Sequence, residues 1–138
     1  MFIPTIKKYS KIHFHKKKKF SLKNNKLIFG TSGIKSNESS TISYKQLISI
    51  NKILITLIKP FKGKFWFRIF PILPITKKSI GVRMGKGVGK TSYWTCNQKK
   101  NTILLELDGV PKNFTKKILK ICTDRLPVQT KIISNTIH

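Results

Sequence analysis

Hydrophobic side chains recur every three or four positions between residues 43 and 59, and this spacing predicts an amphipathic helix. Its apolar positions are Leu47, Ile50, Leu54, Leu57 and Ile58. Ser43 is the predicted N-cap, and Gln46 follows three residues later, as a capping box requires. Pro60 and Gly63 are expected to end the helix.

Downstream of this helix the spacing changes to two, which predicts strands. Lys64–Phe70 carries large side chains on both faces, and Pro71 is expected to end it. Further strands are predicted at residues 75–84, 92–97, 102–107 and 128–134. The strands at 92–97 and 102–107 are predicted to form a hairpin around Gln98–Asn101. A short apolar strand is predicted before a turn at Phe29–Gly33.

A second helix is predicted after residue 110, with Pro111 in its first position and its end before Pro127. Its apolar face is predicted to carry Phe114, Ile118, Ile121 and Cys122. Two helices among strands predict an α+β sandwich, with both helices on one face of a mainly antiparallel or mixed sheet. At 138 residues the chain has room for a single domain.

Charge limits the partners of this domain. The chain has 29 Lys and Arg against 4 Asp and Glu, a net charge of +25. Such a protein repels itself unless a polyanion neutralises it. Nucleic acid is the favoured polyanion because each neutralised phosphate releases a counterion. An anionic membrane surface is the alternative, although no apolar run is long enough to span a bilayer.

Residues 1–27 are predicted to be a basic arm, and residues 28–138 the folded domain. The arm contains nine lysines, no acidic residue and interleaved aromatic residues, so it buries too little apolar surface to fold alone. Its aromatics could stack on bases once it orders on nucleic acid. A transit peptide would be richer in Arg and Ser, and a solvated tail is the remaining alternative.

A loop of glycines and cations, Gly85–Lys90, is the candidate phosphate-binding segment. Gly89-Lys90-Thr91 resembles the end of a nucleotide-binding loop, but the first glycine of that motif would fall at Met84. The loop should also open a helix, and a strand is predicted instead. A flexible hairpin tip is one alternative to a nucleotide hydrolase. A loop that approaches RNA closely, with Arg83, Lys86 and Lys90 on phosphates, suits the residues better.

No catalytic or metal-binding constellation is visible in the sequence. Glu106 and Asp108 alternate on a predicted strand, and a structural ion pair with a lysine is the expected role for one of them. Cys96 and Cys122 are expected to be half-buried reduced thiols. No cofactor is predicted.

Seven short segments in order carry a resemblance to a known family. They are Met1…Pro4…Lys7-Lys8-Tyr9…Lys11…His13, Phe29-Gly30…Gly33-Ile34-Lys35, Trp66–Pro71, Pro74-Ile75-Thr76, Arg83–Gly87 with Tyr93-Trp94, Glu106…Gly109-Val110, and Leu126-Pro127-Val128…Thr130-Lys131. In the order and spacing of these seven segments the chain resembles bacterial-type large-subunit ribosomal protein sixteen, whose cytosolic eukaryotic relative is L-ten. The resemblance implies an α/β-hammerhead fold and a non-enzymatic role in the large ribosomal subunit.

The resemblance also implies partners and sites. The arm would thread into large-subunit rRNA, and the loop after Arg83 would face the acceptor end of aminoacyl-site tRNA near the peptidyl-transferase centre. Neighbouring large-subunit proteins are further expected partners; a membrane and a homo-oligomer are not expected. The predicted rRNA-binding residues are Lys7, Lys8, Tyr9, Lys11, His13, Lys16, Lys17, Lys18, Lys19, Lys35, Trp66 and Arg68. The predicted tRNA-facing residues are Arg83, Met84, Gly85, Lys86, Gly87, Gly89 and Lys90.

Some positions depart from the family pattern. Val88 stands where the family usually has Lys, so the loop is expected to make fewer phosphate contacts. Lys99-Lys100-Asn101 replaces a Pro-Gly turn. The absence of Ala and the preference for Lys over Arg suggest an AT-rich coding genome. A mitochondrial ribosome is therefore the first expectation for location, a plastid the second and an AT-rich bacterium the third.

Overall fold

The computed structural model describes residues 3–4, 11–13 and 20–135. The strands in this part of the chain are β1 (Ser32–Ser36), β2 (Ser40–Ser43), β3 (Lys64–Phe67), β4 (Leu73–Lys77), β5 (Lys90–Gln98), β6 (Ile103–Asp108) and β7 (Thr130–Ser134). The helices are α1 (Tyr44–Ile58) and α2 (Lys112–Asp124), and a single 3-10 turn, Lys59–Phe61, follows α1. The α+β class predicted from the sequence is confirmed.

The described strands form two sheets rather than one. The first sheet has the order β3-β6-β1-β7, and the second has the order β2-β5-β4. Every pairing between these strands is antiparallel. The predicted hairpin of β5 with β6 is wrong, because β5 pairs with β2 and β4 whereas β6 pairs with β1 and β3. The connection at Lys99–Thr102 therefore carries the chain from one sheet to the other.

Helix α1 forms where the sequence predicts it. The Ser43 hydroxyl accepts the Gln46 N–H at 3.4 Å, and the Gln46 side chain accepts the Ser43 N–H at 2.8 Å, which completes the predicted capping box. Leu47, Ile50, Leu54 and Ile58 are buried. The helix packs against α2, β2 and β5, so it joins the second sheet to the remainder of the core.

Helix α2 is rotated relative to its predicted face. Ile118 and Cys122 are buried as predicted, but Phe114 and Ile121 are exposed. Thr115 and Leu119 take the inward positions instead. Thr115 is tolerated there because its hydroxyl donates to the Val110 and Pro111 carbonyls. Pro111 is the N-cap rather than the first helical residue.

Two strand predictions fail at glycine-containing turns. The strand predicted at 75–84 stops at Lys77, since the chain turns at residues 79–82 and Gly81 has a φ of 84°. The apolar strand predicted before Phe29 does not form. Strand β1 begins only at Ser32, because the amides of residues 28–30 donate to a side chain and not to a neighbouring strand.

One hydrophobic cluster joins the helices and the first sheet. Its fully buried members include Ile34 of β1, Leu54 of α1, Leu107 of β6 and Leu119 of α2. Of the helices in the described part of the chain, none has the length and hydropathy needed to cross a bilayer. The cluster leaves the connection between β4 and β5 outside the core, and this connection contains the candidate loop.

Candidate nucleic-acid interface

The glycine loop, defined here as residues 78–89, connects β4 to β5 and projects from the domain. Every residue from Gly81 to Val88 is exposed. Gly85 and Gly87 have φ angles of 100° and 80°, and a Cβ at either position would meet nothing within 4 Å. These glycines therefore serve the backbone conformation and not packing. The result is a loop whose backbone can approach a partner closely.

The base of the glycine loop is tightly packed, in contrast to its tip. A Cβ on Gly89 would lie 2.6 Å from the Lys77 carbonyl carbon and 2.7 Å from the Lys78 nitrogen. Lys78 Nζ also donates a hydrogen bond to the Gly85 carbonyl. Strands β4 and β5 therefore stay close together where they leave the sheet. The hydrogen bond from Lys78 to Gly85 stabilises the bend of the loop.

The tip of the glycine loop presents both cations and apolar side chains. Arg83 and Lys86 are exposed at the tip, and Lys90 is exposed at the base, where it begins β5; the side chains of Ile80 and Met84 are 99% and 96% exposed. The mixture suits a partner that offers phosphates together with apolar faces, as unstacked RNA does. The structure brings the predicted tRNA-facing residues together on this one projection.

One residue of the predicted arm contacts the glycine loop. Lys11 Nζ donates to the Val88 carbonyl at 3.2 Å, so this part of the arm lies against the loop. The predicted sites Lys7, Lys8, Tyr9 and Lys16–Lys19 lie outside the described residues. His13 is described and takes part in a polar or ring interaction.

A buried ion pair holds the start of the domain. Arg68 Nη1 lies 2.5 Å from Glu106 Oε1, and the Glu106 side chain is fully buried. Glu106 Oε2 accepts the N–H groups of Ile28, Phe29 and Gly30 at 3.0, 2.6 and 2.9 Å. The expectation of a structural ion pair at this strand is confirmed, with an arginine as the partner instead of a lysine.

The environment of Glu106 keeps it ionised. Burial alone raises the pKa of its carboxyl, but the N–H donors of Gly30, Phe29 and Ile28 and the Arg68 guanidinium together outweigh this effect and lower the pKa below its usual value. The signal in the sequence was an acid flanked by leucines in a strand, since such a charge must be paired when buried.

Three predicted rRNA-binding residues lie in or beside the first sheet. The Arg68 guanidinium packs over the Phe29 ring at 5.1 Å in addition to its ion pair. The Trp66 ring stacks on Phe29 with their centroids 6.0 Å apart. Lys35 Nζ donates to the Asn25 carbonyl at 3.3 Å. Each of these side chains thus contacts the segment that joins the predicted arm to the domain.

Helix α2 carries a basic row that the sequence-based assignment missed. The row consists of the exposed residues Lys112, Lys116, Lys117 and Lys120. The spacing of four between three of these lysines was the available signal, because residues four apart lie on one helix face. Like charges at this spacing destabilise an isolated helix, so this face also favours a polyanionic partner.

The geometry gives no support to nucleotide hydrolysis. The residue after the glycine loop, Lys90, begins strand β5, whereas a phosphate-binding loop must open a helix. Among the described residues, no group of three or more His, Cys, Asp or Glu could hold a metal ion. Cys96 and Cys122 are free thiols, as expected, but they are fully buried and not half-buried, and burial raises the pKa of both.

A basic α+β domain with an exposed loop of cations and glycines defines a class of protein that binds a polyanion through its surface.

The family model for ribosomal protein L16p/L10e matches residues 4–133. The chain is 39% identical over 133 residues to the large ribosomal subunit protein uL16 of Christiangramia forsetii, covering 96% of this chain and 95% of that protein. It is 36% identical over 135 residues to the large ribosomal subunit protein uL16c of Cyanidium caldarium, covering 98% and 96%. The uL16 of Aeromonas hydrophila is 32% identical over 137 residues, or 99% of each chain.

The chain belongs to the ribosomal protein L16p/L10e family. It is accordingly a structural constituent of the large ribosomal subunit and not an enzyme, with rRNA and other ribosomal proteins as its partners. The resemblance found in the sequence is confirmed, and the alternative hypothesis of a nucleotide hydrolase is rejected.

Proposed function

We propose that this chain binds large-subunit rRNA through its arm and basic faces and helps to position aminoacyl-site tRNA near the peptidyl-transferase centre. The observation that carries the proposal is the glycine loop, whose tip is exposed throughout and presents Arg83 and Lys86. A loop of this kind can reach between RNA elements while the domain remains anchored elsewhere. Its role is to organise and orient RNA, and the RNA supplies the chemistry.

The arm is proposed as the rRNA anchor. Residues 1–19 contain seven lysines and no acid. The segment that follows is already attached to the domain, since Ser21 N–H donates to the Lys100 carbonyl and the Asn24 carbonyl accepts the Ile103 N–H, both at 2.9 Å. Residues 1–19 can therefore be removed without breaking these bonds. The separation into an arm at 1–27 and a domain at 28–138 remains a prediction.

Deletion of residues 1–19 tests the anchor. It should weaken binding to large-subunit rRNA and flatten the dependence of log K on log salt, by about 0.7–0.9 for each phosphate that the arm no longer neutralises. A slope equal to that of the full chain would contradict the proposal. Thermal unfolding of the truncated chain controls for damage to the domain.

The tRNA role is tested by Arg83→Ala with Lys86→Ala in assembled ribosomes. Subunits should form normally and accommodate aminoacyl-tRNA more slowly, because the loop then lacks two cations at its tip. The matched control is Lys52→Ala with Arg125→Ala, which removes the same charges from exposed positions on α1 and just beyond α2. Equal accommodation rates in the two double variants would contradict a specific role for the loop.

A mitochondrial ribosome is the proposed location. The support is compositional: Arg appears only at Arg68, Arg83 and Arg125, and Ala is absent. The test is to purify mitochondria and plastids from the source cells and detect the chain in the large subunits of each. Its recovery solely in plastid ribosomes, or in the cytoplasm of a bacterium, would contradict this location.

A further inference from the structure

A cavity of about 530 Å³ lies where the predicted arm meets the domain. One wall is the segment Phe20–Asn24, the opposite wall is Arg68–Phe70, and residues of β5 and of the connection to β6 complete it. Main-chain hydrogen bonds of Ser21 and Asn24 hold the segment Phe20–Asn24 against the domain, so this wall of the cavity is part of the folded structure. We name this space the arm-side cavity.

Two aromatic rings border the arm-side cavity. Phe20 and Phe70 both line it and are 55% and 43% exposed. The planar faces of nucleobases stack on such rings irrespective of base type. The rings therefore make the cavity suitable for a flat, unsaturated guest.

The polar lining supplies hydrogen-bonding groups in addition to these rings. Asn24, Asn97 and Gln98 line the cavity, and each carries a side-chain amide with donor and acceptor groups. Gln98 is 7% exposed, and its side chain also hydrogen-bonds to Cys96. Amide side chains can pair with the edges of an unpaired base, which single-stranded RNA exposes.

The charge of the arm-side cavity favours a nucleotide over a peptide. Its cationic lining residues are Lys23, Lys99 and Arg68, and none of its lining residues is acidic. Arg68 is 13% exposed and is oriented by Glu106, so its position is set before a partner binds. A phosphate at the mouth of the cavity would neutralise the two lysines.

From these observations we infer that the arm-side cavity binds one unstacked nucleotide of large-subunit rRNA, with its base against Phe20 and Phe70 and its phosphate near Lys23 and Lys99. Its volume lies in the range of small-molecule binding sites. The inference rests on the proposed binding of rRNA. It adds a defined base-binding site to a surface otherwise described by charge.

Photo-crosslinking in the assembled large subunit tests the occupant. A photoreactive phenylalanine analogue replaces Phe70, and in a control subunit it replaces Phe114, an exposed aromatic on α2 that packs against Phe61. The expected result is a crosslink from position 70 to one unpaired rRNA nucleotide that position 114 does not give. A crosslink to a protein, or to many nucleotides, would overturn the inference.

Binding measurements separate stacking from charge. Phe20→Ala with Phe70→Ala should weaken rRNA binding by about tenfold or more, as removal of base stacking does, and leave the salt slope unchanged. Lys23→Gln with Lys99→Gln should flatten the slope by about 0.7–0.9, because one phosphate is then no longer neutralised. Ile55→Ala, which removes an exposed apolar side chain of α1 outside the cavity, should bind like the unaltered chain.

Two negative results have different meanings. If the unaltered chain binds rRNA but the double phenylalanine variant binds within twofold of it, the cavity assignment is overturned and the proposed function stands. If the unaltered chain fails to bind rRNA, both are overturned. Thermal unfolding of each variant shows whether its binding was measured on folded protein.

Discussion

Glu106→Gln is the substitution for which the structure gives the clearest expected magnitude. Glu106 uses both oxygens: Oε1 accepts Arg68, and Oε2 accepts three backbone N–H groups. Glutamine has nearly the same shape but offers one oxygen and one NH₂ group. Whichever way the amide turns, its NH₂ faces either the Arg68 guanidinium or the three donors. A buried cation or a set of buried amides is then left without an acceptor.

The expected decrease in stability is large. Breaking a buried ion pair by removing one partner costs about 3–5 kcal/mol, whereas small domains have total stabilities of about 5–15 kcal/mol. Urea unfolding at neutral pH, followed by the fluorescence of Trp66 and Trp94, measures the difference. The matched control is Glu38→Gln, since Glu38 is exposed and accepts one N–H, from Gln129 at 3.0 Å. Its expected cost is about 1 kcal/mol or less.

The pH dependence provides an independent check of the same reasoning. The folded-state pKa of Glu106 is lowered from 4.5, so its contribution to stability is fully present above the unfolded pKa and is lost as the pH falls through the folded one. The difference in stability between the unaltered chain and Glu106→Gln should therefore shrink below about pH 4.5. A decrease in stability no greater than that of Glu38→Gln at neutral pH would refute the argument, as would a difference that stays constant with pH.

Three smaller changes test other parts of the fold. Ser43→Ala removes the N-cap of α1 and should lower the free energy of unfolding by about 1 kcal/mol; an unchanged urea midpoint would contradict the capping box. Gly89→Ala should lower the thermal midpoint, because it puts a Cβ against the Lys77 backbone; an unchanged midpoint would argue against the tight loop base. Burial raises the pKa of Cys122 to about 12, so iodoacetamide at pH 8 should leave this thiol unmodified in native protein and alkylate it after denaturation. Mass spectrometry measures the modification, and alkylated Cys122 in the native sample would contradict this expectation.

The parts of the fold that local sequence predicts are those that local interactions determine. Helix α1 follows from its 3.6-residue period and its capping box, both contained within residues 43–58. The hairpin of β5 and β6 failed because alternation along a strand indicates a buried face but does not identify the pairing partner. The predicted apolar face of α2 did not include Thr115, whose hydroxyl contacts two carbonyls and can therefore be buried. This rotation of the helix exposes Phe114.

In the candidate site, too, local sequence patterns predict some features and do not predict those formed by residues far apart in the chain. The glycines and cations of residues 85–90 predicted an exposed loop, and residues 81–88 are exposed in the structure; its approach to a partner stays a prediction. The hydrogen bond of Lys11 to Val88 joins residues 77 positions apart, which no local pattern reveals. The arm-side cavity likewise assembles from three distant segments. Its aromatic and amide residues have no shared spacing in the sequence.

Sedimentation of a lysate of the source cells on sucrose gradients, at low and then at high salt, tests the central claim most directly. The account predicts that the chain sediments with large ribosomal subunits and remains with them at moderate salt, because its binding combines phosphate contacts with a folded domain held on rRNA. Recovery of the chain in light fractions at both salt concentrations would contradict its role as a constituent of the large subunit.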